Sequence, residues 1–181
     1  METWNFDLVH CDIGFSVRHL MISKVRGHFK KWSGSLEIDE ANPGASKVSV
    51  EIDAASIDTK EEQRNNHLRS ADFLDVANHP SIRFESTGVE KISATDYKLS
   101  GNLTIHGVAK PVVLDVEYLG RTKDPWGGER AGFTAKTAID RKDYGLTWNM
   151  ALEAGGLLVG DKVEINIEVE AVRAQQTVAA G

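Results

Sequence analysis

Six histidines, one cysteine and an excess of carboxylates are the chemistry-bearing residues of this chain. Two imidazoles on one metal usually come from a short repeat such as His-x-His or His-x-x-x-His. His10, His19, His28, His67, His79 and His106 contain neither spacing, so no metal site is expected from them. Cys11 is the only cysteine, which excludes an intrachain disulfide and a zinc–thiolate cluster. Nothing beside it supplies an activating base, so a small buried or half-buried thiol is expected. No Gly-x-Ser-x-Gly elbow is present, and no glycine-rich phosphate loop follows a strand and opens a helix. The reading is therefore of a protein that is not an enzyme, with no catalytic residue, metal or resident cofactor. His19 and His67 stay in view: either could meet the polar end of a ligand or, in an enzyme, act as general acid and base.

The bulk properties agree with a binding or structural role. At 181 residues, 41% hydrophobic and 27% charged, the chain can bury a full core as one domain. Its net charge of −6 comes from interspersed acids and bases. A nucleic-acid partner needs a concentrated basic face to displace phosphate counterions, and none is visible. No apolar run approaches the ~20 residues of a membrane helix, so stable membrane insertion is not expected. Met1-Glu2-Thr3-Trp4-Asn5-Phe6 has neither the basic stretch nor the apolar run of a secretory leader. The expected location is cytoplasmic, or periplasmic if a leader has been trimmed.

The elements that position these residues follow from a period of two, the mark of half-buried strands. Val163, Ile165, Ile167, Val169 and Ala171 alternate with Lys162, Glu164, Asn166, Glu168 and Glu170. Val48, Val50 and Ile52 share a face, as do Tyr97, Leu99, Gly101, Leu103 and Ile105. So do Val112, Leu114, Val116 and Tyr118, and again Ala131, Phe133, Ala135 and Ile139. Trp4, Phe6 and Leu8 start the chain on one parity; Ile13, Phe15, Val17 and His19 take the other, so a bulge or turn near Cys11-Asp12 must reset the register. Gly27 and Gly34 mark where a long strand from Val25 to Asp39 has to bend. Turn chemistry at Asn42-Pro43-Gly44, His79-Pro80, His106-Gly107, Asp124 to Gly128 and Gly155-Gly156 separates the runs. One helix is expected at about residues 60–70. Thr59 and Glu62 form its capping box, Arg64, His67 and Leu68 share one face, and Arg64 anchors through Asp58 or Asp72. Residues 1–173 make one domain; the small, polar tail 174–181 is expected to fray.

About eight amphipathic antiparallel strands close into a barrel or stack as a sandwich. An eight-stranded barrel is just wide enough to be packed solid or to hold one small ligand. Periodicity does not distinguish these. It does name the inward apolar set: Phe15, Phe29, Phe84, Leu99, Leu103, Phe133, Ile165 and Ile167, with Val17, Leu36, Val50 and Val116 on the same parities.

The order and spacing of several short segments narrow the choice. They are Gly14-Phe15-Ser16-Val17-Arg18-His19-Leu20, Val25-Arg26-Gly27-His28-Phe29 and Ser56-Ile57-Asp58-Thr59. Next come Arg64 with His67-Leu68-Arg69-Ser70, Asp72-Phe73-Leu74, and Pro80 to Thr87. Gly101-Asn102-Leu103-Thr104-Ile105-His106-Gly107 and Arg141 to Leu146 complete the set. From about Trp4 to Val172 the chain resembles the YceI-like, polyisoprenoid-binding proteins of lipocalin-like fold. The resemblance implies an all-β, extended eight-stranded antiparallel barrel. Its interior would carry or store a polyprenyl chain or the tail of an isoprenoid quinone, with micromolar or tighter affinity from apolar burial. Phe15, Val17, His19, Phe29, Leu36, Val50, Leu68, Phe73, Phe84, Leu99, Leu103, Val116, Phe133, Ile165 and Ile167 are then the expected ligand contacts. Leu68, Phe73 and Leu74 would close one end. A homodimer is compatible with the resemblance. Two rivals remain: a lipid-modifying enzyme using an inward histidine, and a packed-core association domain with an exposed apolar patch near Trp126 or Trp148.

Overall fold

In a computed structural model, which describes residues 1–175, the alternating runs form eleven strands and one α-helix. They are β1 (Glu2–Phe6), β2 (Asp12–His19), β3 (Ser23–Phe29), β4 (Trp32–Ile38), β5 (Lys47–Asp53) and β6 (Ile57–Asp58). Helix α1 (Glu62–Arg69) then precedes β7 (Ser81–Lys91), β8 (Asp96–Ile105), β9 (Val108–Lys123), β10 (Glu129–Asp140) and β11 (Val159–Arg173). All eleven belong to one antiparallel sheet, and β11 returns to β1, so the sheet closes. β11 pairs with β1 at one end (Phe6 opposite Ala171) and with β2 along the rest (Phe15 opposite Ile165). Likewise β4 pairs with β5 while β3, the preceding part of the same run, pairs with β6. Eight long strands in simple up-and-down order, the first three each broken once, account for all eleven.

The breaks have local causes. Asp7 accepts the Val9 N–H and starts a one-turn 3₁₀ helix, Leu8–His10. Leu8, expected to continue the face of Trp4 and Phe6, is instead 54% exposed. This turn, just ahead of Cys11, resets the parity for Ile13, Phe15 and Val17. Between β5 and β6, Asp53 caps a similar turn at Ala54–Ser56 by accepting the Ala55 N–H. The β3–β4 break sits beside it: the Ser56 hydroxyl accepts the Lys31 N–H (3.1 Å), and Asp53 N–H donates to the Lys31 carbonyl (2.9 Å). The two kinks thus satisfy one another's backbone groups.

The bend expected at Gly27 and Gly34 therefore falls between them, at Lys30-Lys31. The glycines serve the neighbouring aromatic rings. A Cβ on Gly27 would come within 2.5 Å of the Phe15 ring, and one on Gly34 would meet the Ser49 carbonyl oxygen as well as Phe6 at 3.0 Å. Gly101 gives the same room to Phe84. Each ring lies across the glycine of the adjoining strand, along the wall. The helix is also shorter than expected and is capped differently. Lys60 adopts a left-handed φ of +62°, which carries Thr59 away from the first turn. Glu61 is the cap, accepting from Gln63 N (3.1 Å) and Arg64 N (2.6 Å). Ala174 still donates to Thr3, and the end of the tail, residues 176–181, lies outside the described residues.

Two buried clusters divide the interior. Ile13, Ile52, Ile57, Leu74, Ile82, Leu103, Ile105, Tyr144 and Leu146 form the larger one toward α1. Trp4, Leu36, Ala131 and Ala171 form the smaller one where β1 meets β11.

Candidate functional site

The inner faces do not fill the barrel. A cavity of about 1150 Å³ runs its length, from α1 and the β10–β11 connection at one end to Asp39, Lys91 and Arg121 at the other. All fifteen residues expected to face a ligand line it. The interior is hollow, against the packed-core rival. Of the two tryptophans named for an exposed patch, Trp126 is 84% exposed, whereas Trp148 is half-buried and turned to the cavity.

The helical end is built from side chains that hold irregular backbone. His67 packs edge to face on both Phe73 (5.1 Å) and Trp148 (4.6 Å), and Phe73 meets Trp148 at a tilt (5.3 Å). His67 Nε2 lies 2.9 Å from Asp72 Oδ2, which fixes the ring. Arg64 does not reach Asp58 or Asp72 as expected; its Nε donates to the Thr59 hydroxyl (2.8 Å) and its Nη2 to the Thr59 carbonyl (2.7 Å). Asn65 takes the Asp58 contact instead (3.1 Å). Trp148 is held from beneath by Arg141, only 3% exposed, whose guanidinium donates to the carbonyls of Leu146 (2.5 Å), Trp148 (2.9 Å) and Gly160 (2.8 Å). Burial lowers the Arg141 pKa, and the nearby Asp161 opposes that shift. Spacing alone did not single out Arg141, because its partners are main-chain carbonyls.

The other end is charged. Alternation would turn Arg121 outward from Tyr118, but a bulge at Leu119-Gly120 shifts the register against Phe133 and brings it to the cavity. Its guanidinium lies 4.8 Å from the Trp4 ring centroid. Glu2 (2.9 Å), Glu40 (2.9 Å) and Glu129 (3.1 Å) surround it, and Arg173 joins Glu2 (2.6 Å) and Glu129 (2.9 Å). Arg173 holds the Glu129 carboxyl below its ordinary pKa. Three carboxylates against two guanidiniums leave this cluster without spare positive charge. Trp4, 1% exposed, keeps an indole N–H with no acceptor, and Arg121 Nε, though ion-paired to Glu129, is not aligned for a hydrogen bond.

The chemistry available is mostly apolar contact. His19 and His67 both line the cavity. The Ser70 hydroxyl, close to His67 in the chain, donates to the His67 carbonyl at 2.6 Å and so serves the helix terminus instead of the ring. Cys11 lies outside the cavity lining; its thiol donates to the Glu170 carbonyl (3.3 Å), and burial raises its pKa. Among the described residues, no helix is long and apolar enough to cross a membrane.

Known proteins share both sequence and architecture. The model of the YceI-like domain matches residues 4–171. A UPF0312 protein of Azotobacter vinelandii is 42% identical over 164 residues, covering 91% of this chain and 82% of that protein. The crystal structure of Burkholderia cenocepacia BcnA superposes with a TM-score of 0.81 at 22% identity, over 92% of this chain and 99% of that one. A polyisoprenoid binding domain from Saccharophagus degradans superposes with a TM-score of 0.69 at 17% identity, over 96% and 100%.

Proposed function

This chain belongs to the YceI-like domain family, and on that premise we propose that it binds one long isoprenoid-type chain in the barrel and acts as a carrier or store. The observation that carries this reading is the continuous apolar cavity. At roughly 30 Å³ for each water-sized group, its 1150 Å³ holds on the order of seven isoprene units. Branched methyls fit a wall of Val, Ile, Leu and Phe side chains, and removal from water supplies about 0.8 kcal/mol for each buried CH₂. The Saccharophagus domain, named for polyisoprenoid binding, supports the same ligand class.

The charged end favours an uncharged head. The carboxylates around Arg121 repel a diphosphate. A quinone-like or alcohol head at this end fits better than an anionic one.

Trp4, Trp32 and Trp148 all line the cavity, so their fluorescence reports its occupancy. Lipid-free protein is titrated with prenyl alcohols of increasing length, a long-chain prenyl quinone and a prenyl diphosphate. Affinity is expected to rise with length, level off near seven units, and be lowest for the diphosphate. Absence of a saturable change with any chain would sink the proposal.

A further inference from the structure

Outside the barrel, near its helical end, Asp75, His79 and His106 each place a potential ligand atom within 4.8 Å of the others. All three are half-buried, and the two imidazoles meet edge to face with centroids 4.6 Å apart. His106 is the first central residue of the β8–β9 turn, with φ +53° followed by Gly107 at +72°. Two left-handed residues make a turn that usually takes Asn, Asp or Gly at this position. Histidine, like Asn and Asp, is enriched among non-glycine residues at positive φ, so the turn accepts the imidazole.

The ring's orientation is also fixed. His106 Nδ1 lies 3.2 Å from the Tyr144 carbonyl, an acceptor only, so Nδ1 carries the proton. The Nε2 lone pair is then left to bind. A backbone carbonyl that fixes the far nitrogen of an imidazole is the usual support behind a metal-bound histidine. His79 packs over Gly107, where a Cβ would come within 3.0 Å of its ring. Asp75 has φ +47°, and its carbonyl accepts the His79 N–H at 2.8 Å, which draws the Asp75–His79 segment into one tight turn. A second cluster, Asp7, His10 and Glu170, has similar composition. There the Arg130 guanidinium already sits 2.7 Å from Asp7 and 2.5 Å from Glu170, in the place of a cation. At the first cluster Asp75 Oδ2 accepts the Asn78 amide (2.9 Å), and among the described residues no guanidinium or ammonium pairs with Asp75, His79 or His106.

We propose that Asp75, His79 and His106 bind a divalent transition metal of the zinc class. Two imidazoles and one carboxylate suit Zn²⁺ at about 2.0–2.2 Å, with water as fourth ligand. Ligand atoms around such an ion lie about 3.4 Å apart, so side-chain rotation of about 1 Å completes the site. The ion ties the segment after α1 to the β8–β9 turn. Through the Tyr144 carbonyl it also supports the start of the β10–β11 connection. It is a structural clasp on the helical end and does not depend on what the barrel holds.

The test is calorimetric titration of chelator-treated, untagged full-length protein with Zn²⁺, and with Co²⁺ as a spectroscopic probe. One ion is expected to bind with micromolar affinity, giving the intense visible bands of tetrahedral Co²⁺ and raising the thermal midpoint. H106N keeps a residue the turn prefers, and H79Q keeps side-chain size; each is expected to weaken binding at least tenfold. H10N, in the arginine-filled cluster, is expected to change nothing. Failure of the native protein to take up either metal, or uptake that H79Q or H106N leaves intact, overturns the site.

Discussion

The two ends of the barrel are closed by different means. At the charged end the connections are short (39–46, 92–95 and 124–128), and side chains satisfy their backbone locally. Asp39 accepts the Asn42 N–H, Ser93 the Thr95 and Asp96 N–H groups, and Asp124 those of Trp126 and Gly128. At the helical end the chain spends residues 59–80 and 141–158 outside the strands, and a few side chains bonded to main-chain carbonyls and to one another hold them. Arg141, the His67–Asp72 pair and the Trp148 stack do there what turn chemistry does at the other end. Segments stabilised by a few side chains open at lower free energy than hairpins continuous with the sheet. The contrast places the stabler closure at the charged end, and under the proposed function a ligand would exchange through the helical end.

The sharpest test of that division replaces one tryptophan at each end. W4A empties a fully buried site and is expected to cost about 3–5 kcal/mol in urea unfolding. W148A, at a half-buried position, is expected to cost about 1 kcal/mol while speeding release of a bound prenyl chain about tenfold in stopped-flow fluorescence. Equal stability losses, or faster release from W4A than from W148A, would break the comparison. Next in size, R141M leaves several buried carbonyls without donors and is expected to cost about 2–3 kcal/mol. Hydrogen exchange should rise over residues 145–158 and stay unchanged over β4 and β5; a uniform rise would deny Arg141 its local role.

The smallest effect is acid sensitivity of the charged end. Arg173 depresses the Glu129 pKa, and Arg130 depresses those of Asp7 and Asp124. A carboxyl whose pKa is lower folded than unfolded contributes stability above its unfolded value of about 4 and loses that contribution as pH falls through the folded one. The unfolding midpoint should hold between pH 7 and 5 and drop below about pH 4, by a modest amount because these pairs are partly exposed. Exchange protection around Trp4 should weaken before that around Leu103. A decline beginning above pH 6 would deny these carboxylates the role.

How much of this was legible depended on the range of the forces involved. Alternation exposed the inner faces of β5 and β8 to β11, because solvent on one side and cavity on the other select residues two apart. The thirteen expected lining residues that lie on strands face the cavity, and Leu68 and Phe73, on α1 and the turn after it, reach it without any strand parity. Parity misled where backbone was reset by something local. Asp7 ended a strand early and put Leu8 outside; the bulge at Gly120 turned Arg121 in. The Glu61 cap was hidden because glutamate is a weaker indicator than the Thr59–Glu62 pair that imitated a capping box. Contacts between segments distant in the chain left no spacing to read. Arg141 with its carbonyls is one example, and Asp75, His79 and His106 are another.

The glycine–aromatic pairs have a consequence for how such a barrel can vary. Phe15, Phe6 and Phe84 each occupy room that Gly27, Gly34 and Gly101 leave on the next strand. A methyl group added to Gly27 meets the Phe15 ring and the Thr59 methyl, whereas one added to Gly34 or Gly101 also meets the Ser49 or Glu85 backbone carbonyl. Each ring can therefore shrink while its glycine stays, but at Gly34 and Gly101 loss of the ring does not release the glycine, because the neighbouring backbone still occupies the space. Drift in the family should therefore vary the aromatic positions while Gly34 and Gly101 stay fixed, so that the bore of the tube changes at the rings and not at the glycines beside them.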